Sequence, residues 1–335
     1  MYRRLLKRLG AATVAIGAIT LAVTTSAFAQ EWPSKPINFI VGTPPGGPTD
    51  FISRIIADGL SAKLGQTVVV ENRPGGGTTI GQAAIATAEP DGYTIGLITN
   101  APTTAAPLLQ KLPYNPDSFT PIAQVASVPI LFLVHPSMEV SSLGELIELV
   151  KAHPDEYNYG SDGVGTVTHL GFELFKSRAG DLDVMHVPHK GSPEILASYG
   201  SGAIQMSITG VQAAIGHVKE GQIKALAVTG SSRLSSLPDV PTFGELDLPD
   251  VDFKGIDLST WFAVGGPAGL STEIQERLNK EIVAILNEPA TKEKVQALGG
   301  ILVKTGSPQE LAEVIAMSRA QWQEAIETAQ ISIGK

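Results

Sequence analysis

Apolar runs of strand length alternate with amphipathic helical stretches from the first third of the chain onward, and most runs leave through a glycine-rich turn. "INFIV" (37–41) precedes a helical pattern over 50–64, "TVVVE" (67–71) precedes one over 78–88, and "YTIGLIT" (93–99) follows. Such alternation predicts an α/β fold in which helices cover a parallel sheet. The first helix gathers Ile52, Ile55, Ile56, Leu60 and Leu64 on one side and stops at Gly65, a residue suited to a left-handed cap. A second series repeats the plan with "PILFLVHP" (129–136), a helix opened by the capping box of Ser142 and Glu145, and "YNYGSDG" (157–163) leading into "THLGFELFKSRAG". After "LDVMHVPHKG" come another helix, "AIQMSITG" (203–210), a helix over 211–220 and "IKALAVTG" (223–230). "STWFAVGG" (259–266) reads as a strand, and helices are expected over 272–287 and 307–328, the last started by Ser307, Pro308 and Glu310. The Pro-rich stretch 231–250 has no clean period and is expected to wrap the surface as a strap.

The first residues read as an export signal. "MYRRLLKRLG" is basic, "AATVAIGAITLAV" is apolar, and "TTSAFAQ" offers small residues for a cut after Ala29. The apolar part, 10–23, is shorter than the roughly 20 residues a membrane span needs. Arg3-Arg4 leaves open whether export is ordinary or of the twin-arginine kind. Without residues 1–29 the chain keeps 306 residues and carries 20 Lys and Arg against 33 Asp and Glu, a net charge of −13. That charge argues against nucleic acid as a partner, and the length favours two domains. With no cysteine, the chain has no disulfide, no thiolate nucleophile and no Cys-ligated metal.

Five turns at expected strand ends carry the chemistry: "GTPPGGPTD" (42–50), "NRPGGGTTIG" (72–81), "SDGVGTVTH" (161–169), "HKGSPE" (189–194) and "ITGVQ" (208–212). In open α/β sheets ligands bind at that edge, and the first amides of the following helices attract anions. In the first turn Thr49 and the amides of Gly46 and Gly47 are the candidate contacts, whereas the charge of Asp50 suits a helix cap. Nucleotide motifs are incomplete: no Gly-Lys-Ser/Thr follows the first turn, and no turn completes G-x-G-x-x-G. His186 and His189 fall on opposite faces of an extended segment, which argues against a metal. Hydrolase signatures are missing, and although Ser161 with His169 imitates a nucleophile and base, nothing places a third group beside them. His169 suits capping or packing at a helix start, and Trp261 suits the core or an interdomain wall.

Seven segments together resemble the extracytoplasmic solute receptors of the Bug family, the TctC-type binding proteins of tripartite tricarboxylate transporters. They are "WPSKPINFIVGTPPGGPTDFISR" (32–54), "VVVENRPGGGTTIGQAAIATAEPDGYTIGL" (68–97), "YNPDSFTPIAQVASVPILFLVHPS" (114–137), "YGSDGVGTVTHLGFELFK" (159–176), "HVPHKGSPEIL" (186–196), "ALAVTGSSRLSSLPDVPTFGE" (225–245) and "WFAVGGPAG" (261–269). The resemblance implies a periplasmic two-domain α/β binding protein of type II, a Venus flytrap with one discontinuous domain: 30–128 plus 255–335, and 129–254 between. It implies a monomer without cofactor or catalysis that holds a carboxylate by loop amides, hydroxyls and water and delivers it to membrane permease subunits. A sensing adaptor for a signalling protein, or a periplasmic hydrolase, is the alternative.

Carried over by position, the carboxylate cradle is Gly46, Gly47 and Thr49 with Gly76, Gly77 and Thr78; Ser161, Gly165, Thr166, Thr168 and His169 face it, joined by Lys190, Gly191 and Ser192. Asn100 and Thr103 stand where the family varies with its ligand. Two departures bear on specificity. Thr209-Gly210 replaces the Asp that amino-acid-binding relatives often carry near the end of that strand, which disfavours an α-ammonium ligand, and His189 replaces the usual Tyr. Arg73, beside Pro74, reads equally as structural or ligand-facing.

Overall fold

A computed structural model describes residues 32–230, 232–248, 251, 258–298 and 300–328; the signal-peptide expectation lies outside the described residues. The chain begins with β1 (Ile37–Val41), α1 (Pro48–Leu64), β2 (Val68–Asn72), α2 (Thr79–Ala86) and β3 (Thr94–Thr99). A π-helical turn (Ala101–Ala105) and the short α3 (Ala106–Leu109) lead to β4 (Phe119–Val128). The middle holds β5 (Ile130–Val134), α4 (Leu143–Ala152), β6 (Asn158–Ser161), α5 (Val167–Arg178), β7 (Met185–Pro188), α6 (Ser192–Gly200), β8 (Met206–Gly210), α7 (Val211–Lys219) and β9 (Lys224–Val228). It returns through β10 (Thr260–Pro267), α8 (Thr272–Asn287), α9 (Pro289–Gln296), β11 (Leu302–Val303) and α10 (Pro308–Thr328).

Two sheets organise these elements, one in the order β11-β4-β10-β3-β1-β2 and one in the order β7-β6-β8-β5-β9. Helices cover the first sheet, and β1 reads as a continuous apolar run because Ile37, Phe39, Ile40 and Val41 are all buried. α1 buries Ile52, Ile56 and Leu60, and Gly65 at φ 68° ends it by donating to the Ser61 carbonyl, as the spacing predicts. Ser142 caps α4 by accepting from the Glu145 amide at 3.1 Å, while Glu145 reaches back to the Ser141 amide at 2.7 Å.

The sheet is not purely parallel. β2, β1 and β3 run parallel, but β10 lies antiparallel to both β3 and β4. β4 escapes a pattern reading because Pro121 interrupts it; the ladder shifts register opposite Pro121, between Val264 and Gly265, where a strand tolerates a missing donor. α9, β11 and the π-helical turn are likewise not evident from periodicity.

Only Pro129 separates β4 from β5, so the chain steps directly from one sheet to the other. A buried polar network ties this crossing to the return before β10. The Ile130 amide donates to Thr229 Oγ1 at 2.9 Å, that hydroxyl lies 2.9 Å from Ser259 Oγ, and Asn100 Nδ2 donates to the Ser259 carbonyl at 3.2 Å. α10 links the two cores. Leu311 packs with Ile40, Ile98 and Trp261, whereas Trp322 and Ala325 pack with Phe132, Phe172 and Leu226. Trp261 is a core residue whose Nε1 donates to Ser318 Oγ at 3.0 Å. The strap is anchored by Phe243, which is buried and meets the edge of Phe132 at 6.5 Å between ring centroids.

Candidate functional site

A cavity of about 520 Å³ opens between turns that belong to different sheets. Gly76, Gly77 and Thr79 line it from the turn after β2, Ala101, Pro102 and Ala105 from the π-helical turn, and Val164, Gly165, Thr166 and Val167 from the turn after β6. Gly76 is required there: at φ 58° its backbone is left-handed, and a Cβ would meet Thr79 Oγ1 at 2.4 Å. Among the described residues nothing accepts from the amides of Gly76 and Gly77, which open a 3₁₀ turn, or from those of Val167 and Thr168, which open α5. Three of these residues, Gly76, Gly77 and Val167, border one cavity from two sides. Its remaining wall is mostly apolar, and no charged side chain lines it. Such a site suits an anionic headgroup with an apolar body.

Of the residues picked from sequence, Gly76, Gly77, Gly165 and Thr166 line the cavity; the others do not. The Gly46 amide is already taken by Asp50 Oδ2 at 2.9 Å, a correction to its expected role as a ligand donor. Asp50 is also bonded by Arg54 and Asn72, so it does more than cap α1. Burial would raise its pKa, but the bonds from Arg54, Gly46 and Asn72 outweigh that and hold it at about 2. Gly47 caps α1, and Thr49 pairs its hydroxyl with Thr43 at 2.6 Å. Thr78, at φ 76°, keeps a buried Oγ1 that has no partner among the described residues. Asn100 is committed to Ser259 and its neighbour Ala101, and Thr103 donates to Gln82 Oε1 at 3.0 Å, away from the cavity.

The second-sheet residues form a supporting layer. The Gly165 amide donates to His169 Nδ1 at 3.0 Å, so it too is occupied, and Thr166 caps α5 while donating to the Gly163 carbonyl at 2.7 Å. Thr168 and Ser192 donate to the two carboxylate oxygens of Asp162, at 3.2 and 3.1 Å. Lys190 is exposed, its amide donates to Glu194, and Gly191 caps α6. Thr209 is fully buried beside Ser207, 3.2 Å away. Arg73 holds Glu71 at 2.7 Å and is structural.

Ser161 meets His186, not His169: its Oγ lies 2.6 Å from His186 Nε2, and the His169 ring stacks on His186 at 4.1 Å. Burial, reinforced by His169, Lys176 and His189, lowers the His186 pKa to about 4, and burial also lowers that of His169. Ser161 is fully buried and hydrogen-bonded within its own turn, so this pair shapes the loop and has no access to a substrate.

Residues 52–331 match the receptor family of tripartite tricarboxylate transporters, TctC. The chain belongs to that family. It is 33% identical to Bordetella pertussis protein BugT over 93% of this chain and 94% of that one. Among solved structures, an R. palustris protein with adipate is 32% identical with a TM-score of 0.69, covering 90% of this chain and 99% of that one. MatC from Rhodopseudomonas palustris, with bound malate, is 28% identical with a TM-score of 0.65, covering 88% and 100%. The receptor has the two-domain α/β fold of periplasmic binding proteins and belongs to a family of solute-binding proteins, not of enzymes. Sequence reasoning missed the apolar wall that α3 and the π-helical turn give this receptor, Pro102, Ala105, Ala106 and Leu109. The one available signal was "APTTAAPLL" (101–109), whose small residues and prolines follow a strand without a glycine turn.

Proposed function

We propose that this receptor works in the periplasm as a monomer, captures a small organic carboxylate in the 520 Å³ cavity and hands it to a membrane permease. The observation that carries the reading is the set of amides at Gly76, Gly77 and Val167, unpaired among the described residues, which meet around one cavity without a charged side chain. In this reading Gly76 and Gly77 hold the headgroup from the domain built on 30–128 and 255–335, and the Val167 amide at the start of α5 holds it from the domain 129–254. The apolar wall of Pro102, Ala105 and Leu109 favours an aliphatic or aromatic body over a densely charged one. The relative solved with adipate fits that preference.

Charge-assisted hydrogen bonds are worth about 1.5–3 kcal/mol each, so three of them together with burial against the apolar wall approach the ~8 kcal/mol of micromolar binding after ordering costs. A ligand held from both sides has more contacts in the closed form, which is what drives closure. Calorimetry and melting with adipate, malate, citrate and benzoate test the proposal. One of these acids is expected to give saturable heat and a raised Tm, and Gly76→Val to weaken it at least tenfold. Silence across the whole panel, or unchanged affinity in the variant, would overturn it.

A further inference from the structure

The wall of the 520 Å³ cavity carries three polar side chains, Thr79, Thr166 and Gln110. A threonine hydroxyl has a single proton to give. Thr79 spends its own on the Gly76 carbonyl at 2.7 Å and Thr166 on the Gly163 carbonyl at 2.7 Å, so neither can donate to an anion. Gln110 differs. Its main-chain amide closes α3 by donating to the Ala106 carbonyl at 3.0 Å, while its side-chain amide has no partner among the described residues and is open to water. β2 and β3 run parallel to β1, so the turn holding Gly76 and the helical run that begins at Ala101 leave the same edge of the sheet. Gln110 ends that run, about 6 Å along α3 from Ala106, and so stands at the far end of the wall from that edge.

We infer that Gln110 selects a linear dicarboxylate, an inference that rests on the carboxylate reading of this cavity and narrows it. One carboxylate takes the amides of Gly76, Gly77 and Val167, the methylene body lies along Ala105 and Leu109, and the far carboxylate accepts from Gln110 Nε2. A second negative charge set deep against a wall without a cation would lose its water uncompensated. Beside the exposed Gln110 it stays hydrated and gains a charge-assisted hydrogen bond. A monocarboxylate of the same length leaves that amide to water and forgoes the bond.

Calorimetry with adipate and hexanoate, which share a chain length and differ only at the far end, tests this on the full chain, on Q110L and on Q110E. The wild type is expected to bind adipate about tenfold more tightly than hexanoate, a difference of about 1.4 kcal/mol and the scale of one such bond. Q110L is expected to abolish the preference through loss of adipate affinity alone, and Q110E, which places a negative charge beside the far carboxylate, to favour hexanoate. Both variants are expected to keep the wild-type Tm, because the side chain they alter is exposed. Equal affinity for the two acids in the wild type, a preference that survives in Q110L, or an equal loss of both acids there would overturn this inference and leave the carboxylate site standing. Heat from malate, citrate or benzoate without heat from adipate would do the same. Silence from every acid overturns the carboxylate site and this inference with it.

Discussion

Asp50 shows how one side chain can turn a candidate ligand contact into architecture. Its carboxylate accepts from the Gly46 amide, from Arg54 and from Asn72, so the first glycine turn is closed on itself. Asp50→Ala leaves the Gly46 amide and Arg54 Nε without their acceptor, while Arg54 Nη2 and Asn72 Nδ2 keep one bond each, and urea unfolding is expected to show a loss of about 2 kcal/mol. The pH dependence follows from its pKa, which falls from the ordinary 3.8 to about 2 on folding. The unfolded chain therefore binds the proton first, so this stabilisation is complete above about pH 4 and disappears as pH falls toward 2. The variant is expected to lack that part of the acid slope. The Thr49-Asp50 pair announced a helix start in the sequence; that Asp50 would consume the Gly46 donor required knowing the turn's backbone, with Gly46 at φ 91°.

At the scale of elements, β6, β7 and α5 are joined by a column of rings. Tyr159 stacks on Phe172 at 3.9 Å and on His186 at 4.8 Å, and His186 stacks on His169 at 4.1 Å. The column positions the turn 163–166, because His169 holds the Gly165 amide. His186 stays neutral when folded, with its pKa lowered from 6.5 to about 4 by burial first and by neighbouring His169, Lys176 and His189 next. Since the unfolded chain takes up the proton at higher pH, stability is full above about 6.5 and falls as pH drops toward 4, by at most about 3 kcal/mol. His186→Gln is expected to flatten that slope in Tm measurements between pH 7 and 4, which lie around the values quoted. Strand and helix identities were legible here from periodicity, and the opposite facing of His186 and His189 from their spacing. The Ser161 contact to His186 was not, because the two come from neighbouring strands paired Ser161 to Pro188.

For the whole molecule the decisive element is α10, which enters one core through Leu311 and the other through Trp322. Trp322→Ala removes a fully buried ring and is expected to cost about 3–5 kcal/mol in denaturant unfolding. Because α10 reaches both cores, the variant is expected to separate the unfolding of the two sheets into distinct transitions, readable as non-coincident fluorescence and circular dichroism curves. Small-angle scattering is expected to show a reduced radius of gyration once a carboxylate binds, since closure brings the turns around Gly76 and Thr166 together. The order of strands, helices and glycine turns, and with it the α/β class and the kind of ligand edge, was set by local pattern: periodicity and turn chemistry act between near neighbours. Which turns share a cavity, which amides stay unpaired, where Pro121 is absorbed into a strand and which core holds Trp322 were decided only by tertiary packing. Those outcomes depend on partners far apart in sequence, and no local preference encodes them.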